Sequence, residues 1–420
     1  MPRLLLPMTC LLGLLLAALP ASAQQPPPWG TGQSEGKDLS TYLATFGPGD
    51  DVPSWFGHGS LVMEDQRLRQ SRLYNYGMFS FDERMLLRYA MGRLEFWVDD
   101  ASPAGTFRFY RSLNRDVRLQ ELNLTPAQKQ EMGRLLAENV LPQNRDYLYH
   151  HYNDNCVTRL RDAIDKALGG QLRAATSGPG RMTLRDHTRR YSAVSPPMSV
   201  LLDFLMNDEI DQPITRWREA FLPEELERQV AELQVKGEDG QLRPLVSKAF
   251  TLHAAEGRPA TPALPPSYGP TMLGLGLALG GLAVGLALWA RRSGGRAPRI
   301  LLGLNNVLVG LVLGIPGLAL FIMWLGTDHT VTYRNENLFL ANPLTVLALP
   351  LGFQLMRGPP RRWMVRLWAV LAALGVLGLV LKLLPMFDQD NWRLIALLLP
   401  LAVGMAGAMR LMRFEVASGS

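Results

Sequence analysis

The sequence predicts an α+β domain of roughly 210 residues, enough for one well-buried core, followed by an all-α membrane region of five helices. Three observations carry this. Strand-like and helix-like segments are interspersed between residues 38 and 250, a proline-rich stretch at 251–270 interrupts them, and five apolar runs follow.

The chain opens as an export signal. Arg3 gives the positive start, Leu4 to Leu19 the apolar stretch, and Ala21-Ser22-Ala23 a cleavage site before Gln24, so residues 1–23 read as a signal peptide. Residues 24–37, with Pro26-Pro27-Pro28, read as a flexible N-terminal segment. Within 38–250 the β-rich runs are Thr41 to Phe46, Ser54 to Val62 and Leu73 to Gly77. Phe81 to Gly92 reads as helical. Strand-like pieces follow at Leu94 to Val98, Thr106 to Tyr110 and Asp116 to Leu122. Thr125-Pro126-Ala127-Gln128 has the form of a helix start, with a cap, a first-turn proline and a glutamine three residues on. A second helix should run from Cys156 to Leu168 and stop at Gly169-Gly170. A mostly antiparallel sheet flanked by helices accommodates these pieces.

The stretch from Glu256 to Pro270 reads as a linker, within a boundary region drawn at 251–270. The apolar runs beyond it lie near 271–290, 300–325, 338–356, 367–385 and 394–409. Arg291, Arg292, Arg296 and Arg299 fill the first loop, and Arg357, Arg361, Arg362 and Arg366 the third. These arginines place the first and third loops and the C-terminus in the cytoplasm, with the globular domain and the loops at 326–337 and 386–393 outside. From residue 271 onward there are 13 Lys+Arg against 5 Asp+Glu. The basic balance therefore belongs to membrane topology and gives no support to a nucleic-acid partner. The bilayer is the partner the sequence names, and oligomeric state is left open.

Cysteine use points to chemistry. Cys10 lies in the leader, so the exported chain keeps Cys156 alone, and an unpaired thiol in an oxidising compartment is a liability. Cys156, Leu160, Ala163, Ile164 and Ala167 share one helical face. Cys156 then faces the sheet from the first turn, with Asn155 or Asp154 as the cap, where N–H groups and the helix dipole favour a thiolate. A small buried hydrophobe is the bland alternative. Of the six histidines, His58 ranks first as a base because glycines flank it in Phe56-Gly57-His58-Gly59, and His151 ranks second. No histidines or cysteines stand at zinc-site spacing, and no phosphate-binding glycine loop is present, so no metal and no cofactor are expected. Trp55, Tyr74 and Tyr76 read as exposed aromatic contacts. With Asn155 and with His329 of the second outer loop they form the candidate substrate-binding set.

Several of these phrases together resemble a bacterial family, the Lnb N-terminal periplasmic domain. They are Phe56-Gly57-His58, Tyr74-Asn75-Tyr76-Gly77-Met78-Phe79, Tyr147-x-Tyr149 running into Asp154-Asn155-Cys156-Val157-Thr158-Arg159, and Phe221-Leu222-Pro223-Glu224. The loop Thr327-Asp328-His329-Thr330, with Asn335, Asn337 and Asn342-Pro343, resembles that of members with a membrane tail. The resemblance implies a bacterial inner-membrane protein with its soluble domain in the periplasm. The order of His on a strand, a polar residue on the next strand, then Asn-Cys opening a helix is more remotely similar to circularly permuted NlpC-type, papain-like thiol enzymes. That similarity implies Cys156 as nucleophile, His58 as base and Asn75 as orienting group, although Tyr74 or Tyr76 could equally face the site. The implied activity is a thiol hydrolase or acyltransferase acting on an amide or ester of an envelope substrate: a peptidoglycan peptide, a lipid or an acylated protein. The alternative is a non-catalytic envelope assembly or maturation factor with a papain-like core.

Overall fold

The computed structural model describes residues 26–80, 85–237 and 239–417, with side chains to 413. The signal peptide expected at 1–23 lies outside the described residues. Among the described residues there are nine strands: β1 (Leu39–Phe46), β2 (His58–Asp65), β3 (Gln70–Met78), β4 (Glu95–Ala101), β5 (Val117–Leu122), β6 (Asp146–Leu148), β7 (Gln234–Lys236), β8 (Leu242–Pro244) and β9 (Val246–His253). Seven form one sheet in the order β6-β4-β3-β2-β1-β5-β9, every neighbouring pair antiparallel. The strand β9 carries the sheet to His253, so the first residues assigned to the linker by sequence belong to the domain.

The helices of this domain are α1 (Met85–Ala90), α2 (Pro103–Ser112), α3 (Pro126–Asn139), α4 (Cys156–Ala167), α5 (Gln171–Ala175), α6 (Leu184–Tyr191), α7 (Pro196–Leu205), α8 (Arg216–Glu219) and α9 (Pro223–Glu232). The start of α3 is as read: the Thr125 hydroxyl accepts from Gln128 N–H, and Thr125 N–H donates to Gln128 Oε1. One face of the sheet packs on α3, α4 and α9 around Leu61, Met63, Leu136, Leu160, Ile164 and Leu226. The other face packs on α2 around Phe46, Val62, Leu73 and Tyr110.

Two expectations are corrected here. The segment 106–110 is helix, not strand. Ser102 caps it by accepting from Gly105 N–H, and Pro103 opens its first turn, which outweighs the β-forming Thr-Phe-Arg-Phe-Tyr composition. The start at 24–37 is not a flexible segment over its described part. Trp29 is buried in the main core, and Ser34 donates to Asp65 at 2.5 Å.

Beyond the linker stand α10 (Gly269–Ser293), α11 (Arg296–Val309), α12 (Ile315–Gly326), α13 (Ala348–Arg357), α14 (Arg362–Leu381) and α15 (Trp392–Ala417). A π-helical turn, Gly310–Gly314, joins α11 and α12 into one 31-residue helix. Among the described residues, four helices are long and apolar enough to cross a membrane. In place of a straight third span there is a bent pair, Thr330–Phe339 and Pro343–Arg357, at 61°. Proline at 343, following the cap at Asn342, sets the break. Small residues let these helices approach closely: a side chain at Gly276 or Gly280 would strike the α15 backbone, and one at Gly303 would strike Gly352.

The domain and the membrane bundle are bonded to each other. Arg189 bridges Asp203 of α7 at 2.9 Å and Asp390 of the last outer loop at 2.5 Å, and Arg393 reaches Asp203 at 3.3 Å. The side-chain amides of Asn335 and Asn337 donate to the carbonyl oxygen of Phe204 at 3.0 Å each. Arg190 holds the linker through the Pro262 carbonyl at 2.6 Å.

Candidate functional site

The site forms where strands β2 and β3 meet the first turn of α4. Asn155 caps that helix: its Oδ1 accepts from Val157 and Thr158 N–H at 2.9 Å each. Its Nδ2 donates to the carbonyls of His151 at 2.8 Å and Phe221 at 3.0 Å. The Thr158 hydroxyl completes the box by accepting from Asn155 N–H at 2.8 Å. Asn155 is buried and its amide is spent on holding Cys156 in place.

The helix can lie this close to β2 because position 59 is glycine. A Cβ there would come within 2.9 Å of Leu160 Cδ1. The same approach brings Sγ of Cys156 to the Gly59 N–H, which joins the N–H groups of Val157 and Cys156 around the sulfur. On β3, the Cβ of Cys156 lies 3.4 Å from where a side chain at Gly77 would begin. The thiol thus reaches the strand ends one residue from His58 and two from Asn75.

His58 and Asn75 meet directly, Nε2 to Oδ1 at 2.5 Å. With a carbonyl oxygen as partner, Nε2 carries the proton and the lone pair of the neutral ring sits on Nδ1. Asn75 is itself held by donation from Nδ2 to Met78 Sδ at 3.2 Å. The His58 ring is half-buried beside Phe46 and Tyr110, both at 6.0 Å between ring centres.

Electrostatically the resting pair is neutral. Burial pushes the Cys156 thiol up to about 11, against the pull of the three N–H groups and of Arg115. This differs from the thiolate expected at a helix start, because desolvation outweighs the helix terminus. Burial lowers His58 to about 4; the Asn75 contact works against the fall and Arg115 adds to it. Arg115 is a buried cation. Its Nε donates to the Gly47 carbonyl at 2.7 Å, its guanidinium lies 4.8 Å over Tyr110, and its Nη2 has no hydrogen-bond partner among the described residues.

The aromatic candidates are corrected. Tyr74 and Tyr76 are 0% and 1% exposed, and their hydroxyls accept from Trp29 Nε1 at 2.7 Å and Asn139 Nδ2 at 2.6 Å. Strand alternation turns them into the core while Asn75 points the other way. Trp55 is also buried, donating to the Asp50 carbonyl at 3.1 Å. None of the three is an exposed contact. His329 lies apart from the thiol, its Nε2 donating to the Tyr89 carbonyl at 2.8 Å. The exposed His151 ring stands edge-on to Tyr149 at 5.5 Å, and Tyr149 stacks on Phe96 at 4.4 Å.

Sequence reasoning missed Tyr147 and Arg115. Among the described residues the buried Tyr147 hydroxyl has no hydrogen-bond partner; it lies 3.9 Å from the side-chain position of Gly77 and so beside the thiol. The Tyr147-x-Tyr149 phrase was visible in the chain; nothing in the sequence distinguishes Arg115 from other arginines.

Among the described residues, one cluster has metal-ligand character: His187, Glu219 and Glu225, all buried. It does not fit a cation. The two nitrogens of His187 are engaged by Glu219 at 2.8 Å and Arg190 at 3.0 Å, while Arg181 and Arg228 neutralise Glu225.

With the geometry in place, comparison with known families is decisive. Residues 25–190 match the Lnb N-terminal periplasmic domain, and residues 270–412 match the Lnb transmembrane domain. The chain belongs to the Lnb family. It is an inner-membrane protein with a periplasmic domain, as the resemblance of its motifs implied. No curated protein and no solved structure matches this Lnb-family chain.

Proposed function

We propose that this chain is a membrane-anchored thiol hydrolase or acyltransferase acting on an amide or ester of an envelope substrate. The observation that carries the reading is the His58–Asn75 contact, one residue along β2 from the Gly59 N–H that meets the sulfur of Cys156 at its capped helix start. In this reading Nδ1 of His58 takes the thiol proton as Sγ attacks the substrate carbonyl carbon. The oxyanion is held by a backbone N–H at the start of α4 and by the otherwise unpartnered Tyr147 hydroxyl. The tetrahedral intermediate collapses to a thioester as His58 returns its proton to the departing amine or alcohol. Water or a second nucleophile, deprotonated by His58, then attacks the thioester and releases the acyl group and the thiol. Arg115 supplies fixed positive charge that favours the thiolate as His58 takes the proton.

The bent pair Thr330–Phe339 and Pro343–Arg357 serves as the third of five spans, which leaves the C-terminus cytoplasmic. The antiparallel approaches of Gly317 to Ala341, Gly310 to Leu349 and Gly303 to Gly352 support a segment running the length of its neighbour.

A second reading, a non-catalytic envelope assembly or maturation factor, is favoured by one observation: the thiol at rest is pushed up to about 11. Two measurements on the full chain separate the readings. Intact-mass analysis of protein purified from envelopes should show a hydroxylamine-labile adduct on Cys156, absent in Cys156→Ser. The pH profile of Cys156 alkylation by iodoacetamide should shift in His58→Ala and again in Asn75→Ala. No adduct, with profiles identical in folded variants, would overturn the enzyme reading.

A further inference from the structure

The soluble domain carries an apolar patch at the turn that receives the second outer loop. Leu86 is 77% exposed, Leu87 67%, Tyr89 49% and Met91 37%. Four such side chains within six residues make a contiguous patch of the kind that soluble surfaces seldom show without a partner.

Its position identifies the partner. The membrane helix that ends at Gly326 is followed at once by Asp328 and His329, and these two residues bind the α1 turn. Asp328 N–H donates to the Met91 carbonyl at 2.8 Å, His329 Nε2 donates to the Tyr89 carbonyl at 2.8 Å, and Arg93 pairs with Asp328 at 2.9 Å. Gly92 fits this contact twice over. Its φ is +80°, which favours glycine, and a Cβ would come within 2.7 Å of the backbone of Asp328 and His329. Two residues of chain span at most about 7 Å, and the headgroup region on each side of the hydrocarbon is about 5–7 Å deep. The α1 turn is therefore held at headgroup height, beside a helix end whose Ile322 and Leu325 are also uncovered, at 55% and 66%.

We propose that Met85–Met91 is an interfacial membrane anchor, with Leu86 and Leu87 dipping into the headgroup–acyl boundary of the leaflet facing the soluble domain. Arg88 and Arg93 have their charges paired, to Glu95 at 3.5 Å and to Asp328 at 2.9 Å, so the apolar side chains carry the insertion. The anchor is a property of this surface and holds whether or not Cys156 is a nucleophile.

The test uses the full chain with both cysteines replaced by serine, reconstituted in phosphatidylcholine vesicles without other protein. A Leu87→Cys variant carries an environment-sensitive nitrobenzoxadiazole label; Gln66→Cys, in the turn at the far end of β2, carries the same label as reference. Thermal melting like that of the unlabelled parent establishes the fold, and Leu86→Cys replaces Leu87→Cys if that variant fails to fold. The label at 87 should emit to the blue of the reference, be quenched by doxyl-labelled phosphatidylcholine and show several-fold weaker quenching by aqueous iodide. Iodide quenching equal to the reference, without doxyl quenching, would overturn the anchor and assign the patch to a protein partner.

Discussion

Removing the amide of Asn155 should unfasten the start of α4. In Asn155→Ala, Val157 and Thr158 lose their acceptor, and the carbonyls of His151 and Phe221 lose their donor, in a place where only 5% of the residue meets solvent. Loss of an N-cap costs about 1 kcal/mol. Each buried polar group left unpaired adds about 1–3 kcal/mol, reduced where water or a small shift can answer it. The expected total is about 3–5 kcal/mol, which for a domain of this size lowers the melting temperature by roughly 6–20 °C. Intrinsic-fluorescence melting of the full chain in detergent reads it. Thr158→Val, which breaks the other half of the box, should cost less than additively when combined with Asn155→Ala, because both act on one helix start. A melting temperature within about 2 °C of the parent, with unchanged Cys156 alkylation, would refute the argument that this amide holds the thiol in place.

Tyr74→Phe and Tyr76→Phe should each destabilise by about 1–2 kcal/mol, since Trp29 and Asn139 lose buried acceptors, and leave the alkylation rate of Cys156 unchanged. A large change in thiol reactivity would return these tyrosines to the site. Lys382→Met strands the buried Glu336 carboxylate and should cost about 3–5 kcal/mol, most of it recovered in Glu336→Gln/Lys382→Met; thermal melting of the three chains checks this. His58 gives a pH signature. Its folded value, near 4, lies below the unfolded 6.5, so the unfolded chain binds the extra proton between them. Stability should be complete above 6.5 and fall by about 1–2 kcal/mol toward pH 4, after allowance for the half-open ring. Comparison of melting at pH 7 and 4.5 should show this loss flattened in His58→Gln.

Local signals made much of the domain legible. The Thr125 box, the α4 face and the glycines around His58 each encode their structure within a few residues, and all three hold. What escaped depends on long-range packing. The face a strand residue takes follows from which layer covers it, so Tyr74 and Tyr76 could not be told from Asn75 by composition. Helix α2 is hidden in the sequence because its interior is made of β-formers and only Ser102 and Pro103 mark its start. Trp29 is ordered by Tyr74, 45 residues away in the chain. The break in the third apolar run lies at Asn342-Pro343, a phrase present in the sequence, but the phrase alone does not give the 61° between the two halves. His58 and Asn75, both singled out by the sequence, do touch; the weight of desolvation on Cys156 was not legible, because it depends on how tightly the finished fold closes around the sulfur.

The junction of Arg189, Asp203, Asp390 and Arg393, reinforced by Asn335, Asn337 and the Arg190 hold on the linker, has a consequence for reach. A catalytic head on a free tether would sweep a volume set by its linker and sample targets throughout the periplasm. Here the tether is clamped at both ends, so the working radius collapses to one fixed height above the membrane. For the thiol enzyme proposed above, selection would then act on where a target bond is displayed as well as on its chemistry. Grafting the soluble domain onto a foreign anchor would restore tethering without restoring that height.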